Sequence, residues 1–402
     1  MAPLGAAPRT LSRNAAPAPE FVPAGLLRSQ YPVKVTRIET HLVRSARGER
    51  SPWVFVQVFT DEGLIGLGDA TNWPGGAIIK KAIEDLSQFV VGEDPFHIEY
   101  LYYRMYRALD QVGQTGVVIA AISGIEIALW DIVGQALGRP IYDLIGGPCR
   151  DRVRFYSHAA TPEECAALAA KGCTAIKAYF PVGPLPRGER IEIPRSLSLA
   201  EERAALAHMR RCREAVGDEI DIATDVGVRY TVSAAIRLGN RLEEIGLIFY
   251  EEPVGPENID ALAQVKAAVN VPICVGERRY TRFGFRDLIA AQAVDMIMPD
   301  VVRCGGILET KKIAAMAESY YIQVSPHNPN SAVATMASLQ LMANIPNGLL
   351  LEFVDDGLDA DWRDDLLTDP PEVDDGYLKL PTKPGLGTGL VMRQVEKYRV
   401  DE

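Results

Sequence analysis

Three acidic residues recur at one interval: Asp225, Glu251 and Glu277, with 26 residues from each to the next. Each stands at the end of a short apolar run, in EIDIATD, GLIFYEE and VPICVGE. Such a pattern arises when successive parallel strands, separated by helices, each deliver one carboxylate to the same end of a barrel. Three carboxylates in an apolar setting repel one another, and a divalent cation between them relieves that repulsion. An all-oxygen ligand set suits Mg2+. The chain has neither an HExxH nor a paired-cysteine motif that would favour zinc.

Further candidates follow in the same series. Asp300 and His327 end VDMIMPD and YIQVSPH. An Asp beside a His orients the ring and raises its basicity, which makes a general base; a purely structural His–Asp hydrogen bond is the alternative. Lys177 and Tyr179 share a face of TAIKAYF, because side chains alternate along a strand. Lys177 reads as a second base or an electrophile, its pKa depressed by a neighbouring cation, or else as a salt-bridge partner of a metal carboxylate. Glu352, ending GLLLEF, could bond a substrate oxygen if protonated or fix another side chain. Ser157 and His158 close VRFYSHA and are candidates for binding substrate, as are Arg278 in GERRYTR and Trp73 in the TNWPGG loop. Arg279 and Arg282 could likewise contact hydroxyls. For these arginines a helix-start or interface role is the plainer reading, and for Trp73 simple packing.

These residues need a scaffold. Eight apolar runs, at 153–159, 174–180, 219–226, 246–252, 271–277, 294–300, 321–327 and 348–353, alternate with helix-length segments, which predicts an α/β fold built on a parallel β/α barrel. One connection, 181–198, is long enough to shape or cover the site. Residues 32–150 read differently. VKVTRIETHLV and WVFVQVFTDEGLIGLGDA suggest strands with a hairpin at Asp61-Glu62-Gly63, and three helical segments follow, giving an α+β capping domain. The barrel is expected over 151–370, with 371–402 returning to the cap. The Ala/Pro-rich stretch 1–31 reads as a flexible or partner-bound extension; its arginines and scarce acids give a weaker transit-peptide alternative.

Composition narrows the function. The 402 residues are 48% apolar and carry a net charge of −11 with both signs interspersed, which argues against nucleic acid as a partner and does not favour an anionic membrane surface. No uninterrupted apolar run approaches the roughly 18 to 20 residues of a membrane span. Six scattered cysteines read as reduced thiols of a cytoplasmic protein.

Taken in order, SGIEIALWDIVGQALGRPIYDLIGG, Asp225, FYEEP, GERRYTR, MPDVVRCGGI, SPHN and LLLEF resemble the enolase superfamily, and within it the mandelate racemase-like subgroup of acid-sugar dehydratase type. The resemblance implies a modified TIM-like barrel with one irregular βα unit beneath an α+β cap. It implies Mg2+ on Asp225, Glu251 and Glu277, a His327–Asp300 dyad, Glu352 against a metal-bound substrate carboxylate, and Lys177 as the first lysine of a Lys-x-Lys motif. Two positions depart from the pattern. Tyr179 replaces the second lysine, and a tyrosine with a reference pKa of about 10 is a poor base. Gly227 stands where galactonate and mannonate dehydratases of this family carry the histidine that protonates the leaving group. One base favours dehydration: His327 takes the α-proton of an aldonate or aldarate and the β-hydroxyl leaves, giving a 2-keto-3-deoxy acid. The leaving-group acid is then His327 itself, Tyr179, Lys177 or His158. A racemase, epimerase or cycloisomerase on a carboxylate substrate is the alternative, and a non-catalytic relative a further one. The resemblance also implies a homo-oligomer, a dimer or an octamer.

Overall fold

The computed structural model describes residues 33–45, 48–179, 195–354 and 362–400; the expected 1–31 extension and residues 181–194 of the 181–198 connection lie outside them. The chain opens with an antiparallel sheet of β1 (Val35–Ser45), β2 (Gly48–Thr60) and β3 (Ile65–Asp69), and the β2–β3 turn falls at Asp61-Glu62-Gly63. Against it lie α1 (Gly76–Ser87), α2 (Ile98–Ala108) and α3 (Val117–Leu137), with the short α4 (Ile141–Leu144) after them. α3 packs on β3 at backbone contact distance. A Cβ at Gly68 would fall 2.0 Å from the Gly124 carbonyl oxygen, so only glycine permits this approach. By length and composition α3 could cross a membrane, but here it is a core helix buried within the protein.

The barrel strands are β4 (Arg152–Ala159), β5 (Ala175–Ala178), β6 (Asp221–Asp225), β7 (Leu247–Glu251), β8 (Ile273–Val275), β9 (Met296–Ile297), β10 (Gln323–Val324) and β11 (Leu351–Glu352). Each lies inside an apolar run recognised in the sequence, except that β4 begins one residue earlier, at Arg152. β4 to β10 pair in parallel in chain order, β11 pairs with β4, and a parallel bridge from Val324 to Gly348 closes the ring. Helices α5 (Pro162–Ala170), α6 (Leu199–Val216), α7 (Val232–Leu242), α8 (Ile259–Ala268), α9 (Thr281–Ala290), α10 (Gly306–Glu318) and α11 (Ala332–Asn344) connect the strands. The start of α6 is marked in the sequence by a capping box: Ser198 accepts from the Glu201 N–H while Glu201 accepts from the Ser198 N–H.

The C-terminal segment does two jobs. Its hairpin, β12 (Val373–Asp374) and β13 (Tyr377–Lys379), pairs antiparallel with β4 of the barrel. After α12 (Met392–Lys397) the chain reaches the cap, where Val400 donates to the Leu42 carbonyl at 2.9 Å and Arg44 to that of Tyr398 at 2.8 Å. The apolar core has a cap portion, a shell between barrel and helices, and a plug inside the barrel that includes Tyr156, Ala175, Ala223, Phe249, Cys274, Met296, Met298 and Leu350.

Candidate active site

The interior plug sets the positions of the site, because side chains two apart on a strand share a face. His158 follows Tyr156, Lys177 and Tyr179 follow Ala175, Asp225 follows Ala223, Glu251 follows Phe249, Asp300 follows Met298 and Glu352 follows Leu350. Apolar residues fill the barrel and the next inward position at the mouth is polar. Ser157 has the opposite parity, and its hydroxyl donates to the Phe353 carbonyl at 2.7 Å, sewing β4 to β11. Its expected substrate role is therefore replaced by a structural one. Glu277 is out of step by one residue. Gly276, at φ 144°, shifts the chain there, and a Cβ on it would lie 2.9 Å from Phe285 and 3.1 Å from the Met298 nitrogen.

Asp225 and Glu251 are register partners on β6 and β7, and Glu277 lies just beyond β8. Asp225 accepts the Gly227 N–H at 2.7 Å. Burial pushes the Asp225 carboxyl up, and the charge of Glu277 adds to this against the opposing Lys177. Burial likewise drives Glu251 well above the carboxylate range, despite Lys177, with Asp225 and Glu352 adding to the rise. Among the described residues no three His, Cys, Asp or Glu side chains are closed around a cation position. Glu277 is turned onto His327 Nε2 at 2.9 Å and onto the Arg278 guanidinium. Burial would raise Glu277, but His327 and Arg278 overcome it and hold this carboxyl well below its usual range.

Lys177 is 2% exposed, with Nζ 2.7 Å from Glu352 Oε1 and 3.0 Å from Glu251 Oε2. Burial alone would lower its pKa, yet the two carboxylates win and hold it well above the ordinary value, so it is an ammonium. These contacts are those of the salt-bridge alternative. Glu352 is engaged in the same network. Its Oε1 faces His158 Nε2 at 2.6 Å as well as Lys177, and its Oε2 accepts the Asn328 N–H at 2.7 Å. Against burial, Lys177 and His327 keep it well below the usual carboxylate range, so it is an ionised anchor for its neighbours.

His327 Nδ1 lies 2.8 Å from Asp300 Oδ2. The same oxygen faces Asn330 Nδ2 at 2.9 Å and Arg303 Nε at 3.1 Å, and Oδ1 accepts the Val302 N–H at 3.1 Å. Burial opposes a charged imidazole, but Glu277, Glu352 and Asp300 raise His327 to about 9. Opposite, Tyr179 Oη lies 3.4 Å from His158 Nδ1, with the rings edge to face. Arg278 Nη1 also meets Glu252 Oε2 at 3.2 Å. Arg279 instead donates to the Pro256 and Gly284 carbonyls, and Arg282 pairs with Glu309, so both serve the fold. Trp73 comes from the cap loop and stacks 5.2 Å from the Arg303 guanidinium, which also contacts the Thr71 carbonyl at 3.4 Å.

Sequence reasoning missed Glu252, Arg303, Asn328 and Asn330. Glu252 had a signal, as the second acid of FYEEP. It is buried at φ 47°, accepts the Gly276 N–H at 2.9 Å and is pushed up to about 7 by burial and then by Glu277. The others lie in loops, where no periodicity marks a side chain's direction.

Comparison with known proteins agrees with this geometry. A family model described as mandelate racemase/muconate lactonizing enzyme, N-terminal domain, matches residues 31–146, and one described as enolase C-terminal domain-like matches 160–394. The chain is 39% identical to a D-xylonate dehydratase of Haloferax volcanii, covering 92% of this chain and 89% of that protein. It is 30% identical to a D-galactarolactone cycloisomerase of Agrobacterium fabrum, covering 92% and 100%. A solved mandelate racemase/muconate lactonizing enzyme-like protein from Rubrobacter xylanophilus superposes with a TM-score of 0.84 at 36% identity, covering 92% and 98%.

Proposed function

The chain belongs to the mandelate racemase/muconate lactonizing enzyme family of the enolase superfamily, and we propose that within it the protein is a Mg2+-dependent dehydratase of sugar acids. The observation that carries this reading is a site with a single available base. His327 is the imidazole backed by Asp300, whereas Lys177 is committed as an ammonium between Glu251 and Glu352. Inversion at a carbon requires proton transfer on both faces; one base suffices to remove the α-proton of an aldonate or aldarate and let the β-hydroxyl depart. The similarity to a D-xylonate dehydratase supports the same substrate class.

The residues fit a hard dication. Asp225 and Glu251 are both pushed up by burial and by excess neighbouring negative charge. Glu251 Oε2 accepts no hydrogen bond, although it lies 3.0 Å from Lys177 Nζ, where the angle is unfavourable. Asp225, Glu251 and Glu277 would hold Mg2+, which when bound stabilises negative charge developing on the substrate carboxylate. Glu277 Oε2 faces His327 Nε2 and Oε1 the Arg278 guanidinium. Release of the contact with Glu277 would free His327 Nε2 to take the α-proton. Asp300 keeps the ring aligned by its bond to Nδ1, and Asn330 and Arg303 fix Asp300. Trp73, from the cap loop, and Arg278, beside Glu277, are the residues we assign to contact the polyhydroxylated chain of the substrate. The six free thiols support a cytoplasmic location. A dimer or octamer is the expected assembly, to be measured by light scattering.

The test is a Mg2+-supplemented assay over a library of aldonates and aldarates that reads out 2-keto acid. Formation of a 2-keto-3-deoxy acid from a pentonate or hexonate is the expected result. The relative named a cycloisomerase gives the second reading its footing. Consumption of a sugar-acid lactone with no 2-keto acid formed would replace the dehydratase reading with that one.

A further inference from the structure

A departing hydroxide needs a proton, and the position that carries a histidine for this task in some relatives is Gly227 here. Three side chains near the site could supply the proton besides His327. The Lys177 ammonium is bound to two carboxylates. His158 has Nε2 against the ionised Glu352, so this nitrogen carries the ring proton and Nδ1 presents a lone pair. Burial, reinforced by the Lys177 charge and opposed by Glu352, also lowers the His158 pKa and so favours the neutral imidazole. Tyr179 remains, with an O–H whose partner among the described residues is that lone pair, 3.4 Å away. A contact of this length is loose in the free protein and can give way to a substrate hydroxyl.

Resting on the dehydratase reading, we propose that Tyr179, oriented by His158, protonates the leaving β-hydroxyl on the side of the site opposite His327. The two groups come from strands on either side of the β11–β4 pair: His327 follows β10, and Tyr179 follows β5. The step balances without any other reactant. The Cα–H bond breaks and its proton goes to His327 Nε2. The released electron pair is first delocalised into the substrate carboxylate, and in a second step forms the Cα–Cβ double bond as the Cβ–O bond breaks. The leaving oxygen takes the Tyr179 hydroxyl proton and departs as water, and the enol tautomerises to the 2-keto acid. The phenolate and imidazolium then exchange protons with solvent. Burial raises the Tyr179 phenol above its ordinary value, which keeps its proton in place near neutral pH and disqualifies it as a base. His158 is a positioning residue in this scheme: Glu352 fixes its tautomer and it fixes the phenol.

Removing the phenol hydroxyl separates the two halves of the reaction. In D2O, Tyr179→Phe with Mg2+ is expected to exchange the α-proton of recovered substrate at a rate comparable to the parent enzyme, while dehydration falls roughly 10²- to 10⁴-fold. A 3-deoxy-3-fluoro analogue, whose fluoride leaves without a proton, should restore elimination to near the parent rate. The unsubstituted enzyme gives an independent measure, since a solvent isotope effect on elimination should be present for hydroxide and absent for fluoride. Dehydration by Tyr179→Phe at the parent rate, or equal isotope effects for the two leaving groups, overturns the assignment of Tyr179 alone. Neither exchange nor 2-keto acid from the unsubstituted enzyme on any sugar acid overturns the dehydratase reading, and this proposal with it.

Discussion

His327 is the residue on which the chemistry turns, and its surroundings make a sharp prediction. Its Nδ1 is held by Asp300 and its Nε2 by Glu277, so the ring is fixed at both ends. Asparagine keeps a hydrogen-bonding group toward Asp300 but offers no base. His327→Asn should lower dehydration by roughly 10²- to 10⁴-fold and leave Mg2+ affinity, measured by calorimetry, within a few-fold of the parent. Turnover near the parent rate would remove His327 as the base. Lys177→Met should behave differently. It leaves Glu251 and Glu352, both fully buried, without their shared cation, so the loss appears in stability as well as turnover. Breaking a buried pair in this way costs roughly 3–5 kcal/mol, which chemical denaturation can read. A loss of turnover with stability unchanged would show that the pairing with the two carboxylates contributes little to the folded state.

At the scale of elements, much of the site was legible because one rule governs it: a strand that fills the barrel with an apolar side chain places its next inward residue at the mouth. Asp225, Glu251, Asp300, Lys177, Tyr179, His158 and Glu352 all obey it, and each was named from the sequence. Ser157 was named too, from its place at a strand end alone, and the same parity sends it to the outside. Glu277 breaks the step and was found only through its spacing, with Gly276 as the physical reason. Loop residues such as Arg303 and Asn330 follow no period, so their convergence on Asp300 became visible only in three dimensions. Asp131 is a comparable case in the core. From α3 it accepts N–H groups of Leu67 on β3 and Leu386 in the C-terminal segment, both at 2.8 Å, and the Gln135 amide at 2.9 Å. With three donors converging on a buried carboxylate, an amide must aim its own N–H at one of them. Asp131→Asn should destabilise by about 1–3 kcal/mol, seen as a lower urea midpoint with an unchanged denaturant slope. An unchanged midpoint would mean that the strap between cap and tail carries no net stability.

Across the whole molecule, the cap is joined to the barrel through buried acids, and this gives the stability a pH dependence with a definite sign. Glu126 on α3 accepts the Ile307 and Leu308 N–H groups at the start of α10, at 2.8 and 2.9 Å, together with the Trp130 indole. Asp69 at the end of β3 meets the Ser331 hydroxyl ahead of α11. Burial is the leading cause in every case, partly opposed by these hydrogen bonds, and it pushes Asp69 up to about 6, Asp131 to about 7 and Glu126 to about 8. In an unfolded chain the same groups titrate near 4. Between the two values the folded state binds more protons than the unfolded state, so stability must fall as pH rises. The contribution of Glu126 is complete below about pH 4 and is gone once pH passes about 8, which places the loss across the neutral range. Thermal unfolding should therefore occur at higher temperature at pH 6 than at pH 8.5. Glu126→Gln, which cannot titrate, should lower the midpoint at both pH values, because its amide meets two N–H donors, and should also reduce the difference between them. Parallel curves for the variant and the parent would show that Glu126 is already ionised in the folded protein across this range. In that case the N–H groups at the head of α10 outweigh the burial of its charge.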